Sequence, residues 1–151
     1  MSHLFDTNAM VAQLTPEEGL KLHVYDDATG QPIVAGYTVK GNPTIGIGRN
    51  LAGYGITKEE AQYLCVNNIT ICEDQLDNAL PWWRDLSPLR QIQRVDLCFN
   101  MGIDVLLQFH EFLGAMQAGQ WQAAVEDLKA SLWWTQVGQR GPMIADRILK
   151  G

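Results

Sequence analysis

The chain changes character once, at Thr57-Lys58-Glu59-Glu60, and that change limits the folds open to it. The tetrad has the form of a capping box, in which the threonine oxygen accepts from a first-turn amide and the glutamate reaches back to the threonine amide. Behind it Ala61, Leu64, Cys65, Ile71, Cys72, Leu76 and Leu80 recur at helical spacing and stop before Pro81. Ahead of it the chain is punctuated by Gly30, Gly36, Gly41 and Pro43. Three short runs between these breaks predict a small antiparallel sheet. They are Leu20, Leu22 and Val24 alternating with Lys21, His23 and Tyr25; residues 32–39; and Thr44-Ile45-Gly46-Ile47. The first 17 residues carry a short helical pattern with Leu4, Val11 and Leu14 as its buried candidates.

Everything past Leu80 reads as helix. One segment carries Leu89, Ile92, Val95 and Phe99 and closes at Gly102; the next runs from Val105 through Phe109, Phe112 and Met116 to Gly119. A third extends from Trp121 through Leu128 to Trp133, and a last one holds Met143, Ile144, Ile148 and Leu149. The expectation is an α+β chain, predominantly α-helical, in which the helix behind the capping box joins a small β-bearing lobe to a larger helical one. No internal repeat, low-complexity tract or flexible linker is visible, so no second module is expected.

At 151 residues such a chain buries roughly two thirds of its unfolded surface. With 46% hydrophobic and 19% charged residues it has an ordinary globular composition. The net charge of -6 argues against nucleic acid, since no basic stripe is available to displace phosphate counterions. A locally basic cleft can still be assembled from Arg49, Arg94, Arg140 and Arg147, because net charge governs encounter rather than chemistry. No run approaches the roughly 18 apolar residues of a membrane span, so stable membrane insertion is not expected. The first residues lack a charged region followed by an apolar core, so no signal peptide is read there.

Cys65, Cys72 and Cys98 make an odd count. Cys65 and Cys72, seven apart on one helix, have Cα atoms about 10 Å apart by helical rise, beyond disulfide reach. All three read as small apolar core residues. A metal site is the sharper alternative, but there is no Cys-x-x-Cys, and His3, His23 and His110 are scattered. Trp82-Trp83 and Trp133-Trp134 could stack on sugar faces, yet tryptophans in a helical lobe more often pack with the indole N–H bonded nearby.

Chemistry concentrates before the switch. Glu18 and Asp27 stand with eight residues between them, and Thr44 follows on the last predicted strand. Splitting a sugar acetal needs a proton delivered to the leaving oxygen and, across the ring, a nucleophile or a base for water. Two carboxyls separated by a short stretch of chain, with a hydroxyl nearby, meet that need. Each residue also has a plain structural reading. Thr15-Pro16-Glu17-Glu18 resembles a first capping box with Thr15 as N-cap, Asp26 and Asp27 resemble turn residues, and Thr44 is a β-branched strand residue. Strand alternation puts Tyr25 and Asp27 on one face and Asp26 on the other, which favours Asp27 for the chemical role.

Glu18-Gly19-Leu20, Tyr25-Asp26-Asp27 and Thr44-Ile45-Gly46-Ile47-Gly48 together resemble the phage-type lysozymes of glycoside hydrolase family 24. The resemblance continues through Gly55-Ile56-Thr57-Lys58-Glu59-Glu60-Ala61, Asn100-Met101-Gly102 and Ser131-Leu132-Trp133-Trp134-Thr135-Gln136 with Arg140, in the family's order from about residue 13 to Arg147. It implies a two-lobed lysozyme-like fold: a single catalytic domain over 1–151, with an active-site lobe at about 13–56, a connecting helix at 57–80, and a helical lobe from 81–151 plus the N-terminal helix.

The resemblance further implies Glu18, Asp27 and Thr44 as the catalytic set. It implies Asn100 as a polar cleft residue, Arg140 as an ion-pair partner of Glu18, and Gln136 and Arg49 as further substrate contacts. Two departures stand out: residues 28–43 form a longer connection than the family's most studied members have, and Arg49 stands where a histidine is often found.

The implied activity is muramidase cleavage of the β-1,4 bond between N-acetylmuramic acid and N-acetylglucosamine in bacterial peptidoglycan, serving host lysis, with no metal or organic cofactor. Glu18, partly desolvated, would be the general acid. Asp27 and Thr44 would hold water for an inverting attack, with carboxyls roughly 6.5–9.5 Å apart. The implied setting is a monomer made in the cytoplasm that reaches the periplasmic wall once a holin opens the membrane. Competing readings are a non-catalytic wall-binding or phage structural protein of the same fold, and a lytic transglycosylase.

Overall fold

The computed structural model describes residues 5–151, so the expected buried Leu4 lies outside the described residues. The chain divides into two units, the first ending at Ala61 and the second spanning Gln62–Gly151.

The first unit begins with α1, Thr7–Glu18, and its cap is Asp6, whose carboxylate accepts from the Ala9 amide at 3.0 Å. This corrects the capping box expected at Thr15. The Thr15 hydroxyl instead donates to the Val11 carbonyl at 2.7 Å, inside the helix, and cannot cap one. Pro16 sits in the last turn, and Gly19 closes the helix at φ 76, with its amide bonded to the Thr15 carbonyl at 3.0 Å. Glu18 is therefore the final residue of a helix rather than the third of one.

The sheet has strands β1, Lys21–Asp26, β2, Pro43–Gly46, and β3, Arg49–Asn50, all antiparallel in that spatial order. Tyr25 pairs with Thr44 and Asp26 with Pro43, while Thr44 pairs with Asn50 on its other side. The strand expected at 32–39 is replaced by a turning connection tied to β1 by one isolated bridge, Tyr25 to Pro32. Pro32 lacks an amide proton for a ladder, and the segment turns back where the Tyr37 amide meets the Val34 carbonyl at 3.0 Å. After β3 comes the short α2, Leu51–Tyr54.

The unit boundary falls within α3, Lys58–Ala79. Its capping box forms reciprocally: the Glu60 amide donates to Thr57 Oγ1 at 3.1 Å, and the Thr57 amide donates to Glu60 Oε2 at 2.7 Å. The apolar stripe behind it is mostly not core. Residues 61–71 are exposed, Leu64, Cys65 and Ile71 included, and burial starts at Cys72 and Leu76.

Among the described residues the hydrophobic core lies wholly in the second unit. A 3₁₀ turn, Pro81–Asp85, follows α3 and is stapled back to it: the Arg84 guanidinium pairs with Asp77 at 2.8 Å and stacks on Trp83 4.0 Å away, while Trp83 Nε1 donates to Asp77 at 2.7 Å. Helices α4, Pro88–Met101, α5, Ile103–Leu106, α6, His110–Gln117, α7, Trp121–Lys129, α8, Leu132–Gln136, and α9, Arg140–Lys150, complete the unit.

Two segments read as continuous are each split. The Val105 to Met116 run breaks between α5 and α6 around Leu107 to Phe109, and the run towards Trp133 breaks where the Ser131 hydroxyl caps α8 at the Trp134 amide, 3.3 Å away. In the first case apolar spacing survives a change of helix axis because Leu107 and Phe109 pack on the same core.

Trp83 and Trp133 are buried, and Trp82, Trp121 and Trp134 pack at the core edge. Cys72 and Cys98 are buried thiols, and burial pushes the Cys98 thiol up to about 12. Cys65 is exposed, which corrects its expected core role: it falls on the solvent-facing first half of α3.

Candidate functional site

The register of β1 on β2 builds the centre of the candidate site. Opposed residues in an antiparallel pair share a face, and the face alternates along each strand. With Tyr25 opposite Thr44 and Asp26 opposite Pro43, the next pair is Asp27 opposite Asn42, and the ladder extends there through the Asp27 amide donating to the Asn42 carbonyl at 3.1 Å. Asp27, Asn42 and Thr44 thus share one face, and Asp26 takes the other.

Side-chain bonds follow that face. Asn42 donates its backbone amide to Asp27 Oδ1 at 2.7 Å and its side-chain Nδ2 to Asp27 Oδ2 at 3.1 Å. The Thr44 hydroxyl donates to the Asn42 carbonyl at 3.2 Å. The two donors from Asn42 hold the Asp27 carboxyl below the usual carboxylate range, so it is ionised at neutral pH. Asp27 is exposed, whereas Thr44 keeps only 4% of its surface. A hydroxyl committed as donor has its lone pairs free to accept from water.

On the opposite face Asp26 is wholly buried and organises the long 28–43 connection. Its Oδ1 accepts from the amides of Ala28 at 3.0 Å and Gly41 at 2.9 Å, and its Oδ2 accepts from the Lys40 amide at 2.7 Å and the Tyr37 hydroxyl at 3.1 Å. The Lys40 amide is foremost in holding its carboxyl below the usual range. One carboxylate, satisfied four times, fixes the loop that delivers Asn42 to Asp27. Gly41 lies so close that a Cβ there would collide with Asp27 Oδ1 and come within 2.7 Å of the Ala28 Cβ.

Glu18 is exposed at the end of α1, not the partly desolvated group expected from sequence. Its carboxylate lies over Gly48, the residue before β3, where a Cβ would stand 3.1 Å from Glu18 Oε2. Gly48 also has φ 73, a conformation that glycine alone adopts freely. Arg49 is engaged: Nη2 pairs with Glu60 Oε1 at 2.7 Å, and Nη1 donates to the Gly55 carbonyl at 3.2 Å. It ties β3 to the start of α3.

In the second unit Asn100 and Gln136 line one groove of about 510 Å³ together with Gln108, Phe109 and Trp133. Asn100 Oδ1 accepts from Trp133 Nε1 at 2.7 Å, which leaves the Asn100 amide nitrogen as a donor. Arg140 lines a different, largely apolar cavity of about 320 Å³ with Phe99 and Asp96. It opens α9, and its Nε is 3.1 Å from Asp96 Oδ1, so its cation is matched by that carboxylate.

Sequence reasoning missed Asn42, Gly41 and Gly48. Counting the register from Tyr25 and Thr44 points to Asn42 once the hairpin pairing is known, but the glycines carry no signal beyond being turn residues. Among the described residues no cluster of His, Cys, Asp and Glu suited to a metal ion occurs, and no helix is long and apolar enough to cross a membrane.

Matches to known proteins differ in scope. The family model described as phage lysozyme matches residues 15–147, a stretch that contains every candidate residue from Glu18 to Arg140. The pre-baseplate central spike protein Gp5 of Enterobacteria phage T4 is 28% identical over 160 aligned residues, covering 95% of this chain. The chain spans 28% of the length of that curated relative.

Proposed function

The chain belongs to the phage lysozyme family, and we propose on that premise that it is a muramidase hydrolysing the β-1,4 bond between N-acetylmuramic acid and N-acetylglucosamine in bacterial peptidoglycan. Family membership supports a wall-lytic glycoside hydrolase, and the Asp27, Asn42 and Thr44 cluster is the observation that carries the finer reading. Glu18 donates a proton to the glycosidic oxygen as the bond to the anomeric carbon breaks, and the sugar itself excludes water from the exposed carboxyl. Ionised Asp27 stabilises the oxocarbenium-like charge and, with the Thr44 oxygen accepting a second hydrogen bond, orients a water on the opposite face. That water attacks the anomeric carbon and releases its proton to Asp27, giving inversion. Asn100 and Gln136 contact glycan or its peptide, and a monomer serving host lysis after holin action fits this role.

Glu18→Gln tests the reading. Release of reducing ends from purified peptidoglycan is expected to vanish while the thermal transition stays within a degree or so of the parent, a surface isostere costing little; undiminished release removes Glu18 as the acid. Product anomers read by NMR are expected to be inverted, and retention would make Asp27 a nucleophile.

The likeness to a phage spike protein favours a second reading, in which the same fold serves as part of a phage structural protein rather than in host lysis. Muropeptide mass spectrometry separates the chemistries: hydrated reducing ends support hydrolysis, anhydro ends a transglycosylase, and intact glycan a non-catalytic part.

A further inference from the structure

The second unit carries another groove, of about 480 Å³, formed by the 3₁₀ turn Pro81–Asp85 and the turn between α6 and α7, with Trp82, Asp85, Gln117, Gly119 and Trp121 in its lining. None of these residues belongs to the candidate site. The volume falls within the roughly 300–1,000 Å³ of small-ligand sites.

Both indoles are braced from α4. The Arg94 guanidinium lies 5.3 Å from the Trp82 ring centroid and the Arg90 guanidinium 3.8 Å from that of Trp121, with Arg90 Nε itself anchored on the Ile148 carbonyl at 2.9 Å. Fixed rings lose little freedom when a ligand arrives. Rings already facing guanidinium groups are poor receptors for a second cation, because the attraction of the ring quadrupole is taken and like charges repel. An anion would meet Asp85, the sole charge in the described lining. The chemistry that remains is neutral.

A neutral ligand that uses aromatic walls together with a carboxylate and a primary amide is a pyranose. Its axial C–H faces lie on indole rings, and its hydroxyl rim donates to Asp85 and exchanges hydrogen bonds with Gln117. Among the described residues neither of those side chains takes a hydrogen bond or ion pair from another, so both are available to a ligand. We propose that this groove is a second saccharide site that holds a neutral N-acetylglucosamine unit of a wall glycan away from the bond-cleaving residues. The choice of N-acetylglucosamine among neutral pyranoses rests on the muramidase reading; the pyranose chemistry does not.

The test titrates chitotetraose into the full chain carrying Glu18→Gln, so that nothing is turned over, while the indole N–H resonances are followed by NMR. The Trp82 and Trp121 signals are expected to shift saturably, and the exposed double substitution Asp85→Ala with Gln117→Ala to weaken that binding by about tenfold, the loss of one to two net hydrogen bonds. The Trp133 indole, in the groove of Asn100 and Gln136, reports the candidate site separately. Movement of Trp133 alone, an unchanged response in the double variant, or a response to tetramethylammonium instead of chitotetraose overturns the proposal. Saturable shifts at Trp82 and Trp121 in a protein that proves to lack hydrolysis leave the groove intact and sink only the muramidase reading.

Discussion

Asn42 grips both oxygens of Asp27, one with its backbone amide at 2.7 Å and the other with its side chain at 3.1 Å, and through its carbonyl it also accepts the Thr44 hydroxyl at 3.2 Å. A single residue thereby sets the orientation of two members of the proposed catalytic set. Asn42→Ala removes the side-chain donor but keeps the backbone one. Misplacing a catalytic group by about 1 Å costs on the order of 100-fold, so kcat on purified peptidoglycan is expected to fall roughly 10- to 100-fold with KM little changed. Because hydrogen bonds to the ionised carboxylate hold its pKa down, their loss moves it up, and the acid limb of the activity profile is expected to shift to higher pH. An unmoved acid limb with full kcat would remove Asn42 from any positioning role.

Gly41→Ala drives a methyl group into the Asp27 carboxylate and against Ala28. The Ala28 backbone nitrogen would also lie 2.9 Å away, so turning the carboxylate aside is not enough and relief requires moving the loop. Loss of at least about 100-fold in kcat is expected, with helical circular dichroism preserved because the second unit carries its own core. Full activity in this variant would mean the loop yields without disturbing Asp27.

Asp26→Asn tests the buried staple. The folded-state pKa of Asp26 lies below its ordinary 3.8, so its ionised form contributes stability that is present above that value and lost as pH falls through the folded one. The parent is expected to outlast the variant in urea at pH 6, with the gap closing as pH drops below about 3.8. A gap independent of pH would assign the effect to shape rather than charge.

Arg94 keeps 1% of its surface, and its three guanidinium nitrogens find no hydrogen-bond partner, with Trp82 and Phe112 as its neighbours instead. Burial pushes its pKa down to about 9. Replacing a buried charge with an apolar side chain of similar reach commonly stabilises by about 1–4 kcal/mol, so Arg94→Met is expected to raise the thermal midpoint at pH 7. The unfolded chain binds the extra proton above pH 9, so parent stability is expected to climb from pH 9 upwards and narrow the difference. A lower midpoint in the variant would show that the two ring contacts outweigh desolvation.

Local rules carried much of the fold. Thr57 and Glu60 cap α3 as their spacing requires, Gly102 ends α4, and the alternation Tyr25, Asp26, Asp27 separates the buried carboxylate from the exposed one. These are interactions within a few residues, and a few residues of sequence encode them. The failures came where two local signals competed. Thr15-Pro16-Glu17-Glu18 satisfies the pattern of a helix start, yet Asp6 had already started the helix; the 32–39 run looks like a strand, yet Asp26 captures its far end.

Sequence by itself determined which chemical groups this protein owns and where most of its helices and the strands β1 and β2 fall, because backbone preference and apolar period act over one or two turns. Tertiary structure alone decided that Asn42 meets Asp27, that Arg94 is enclosed by aromatic rings, and that Arg140 answers Asp96. Each of those contacts joins residues 15 or more positions apart or depends on how helices pack, and no local propensity specifies which partner a polar side chain finds once the chain closes around it.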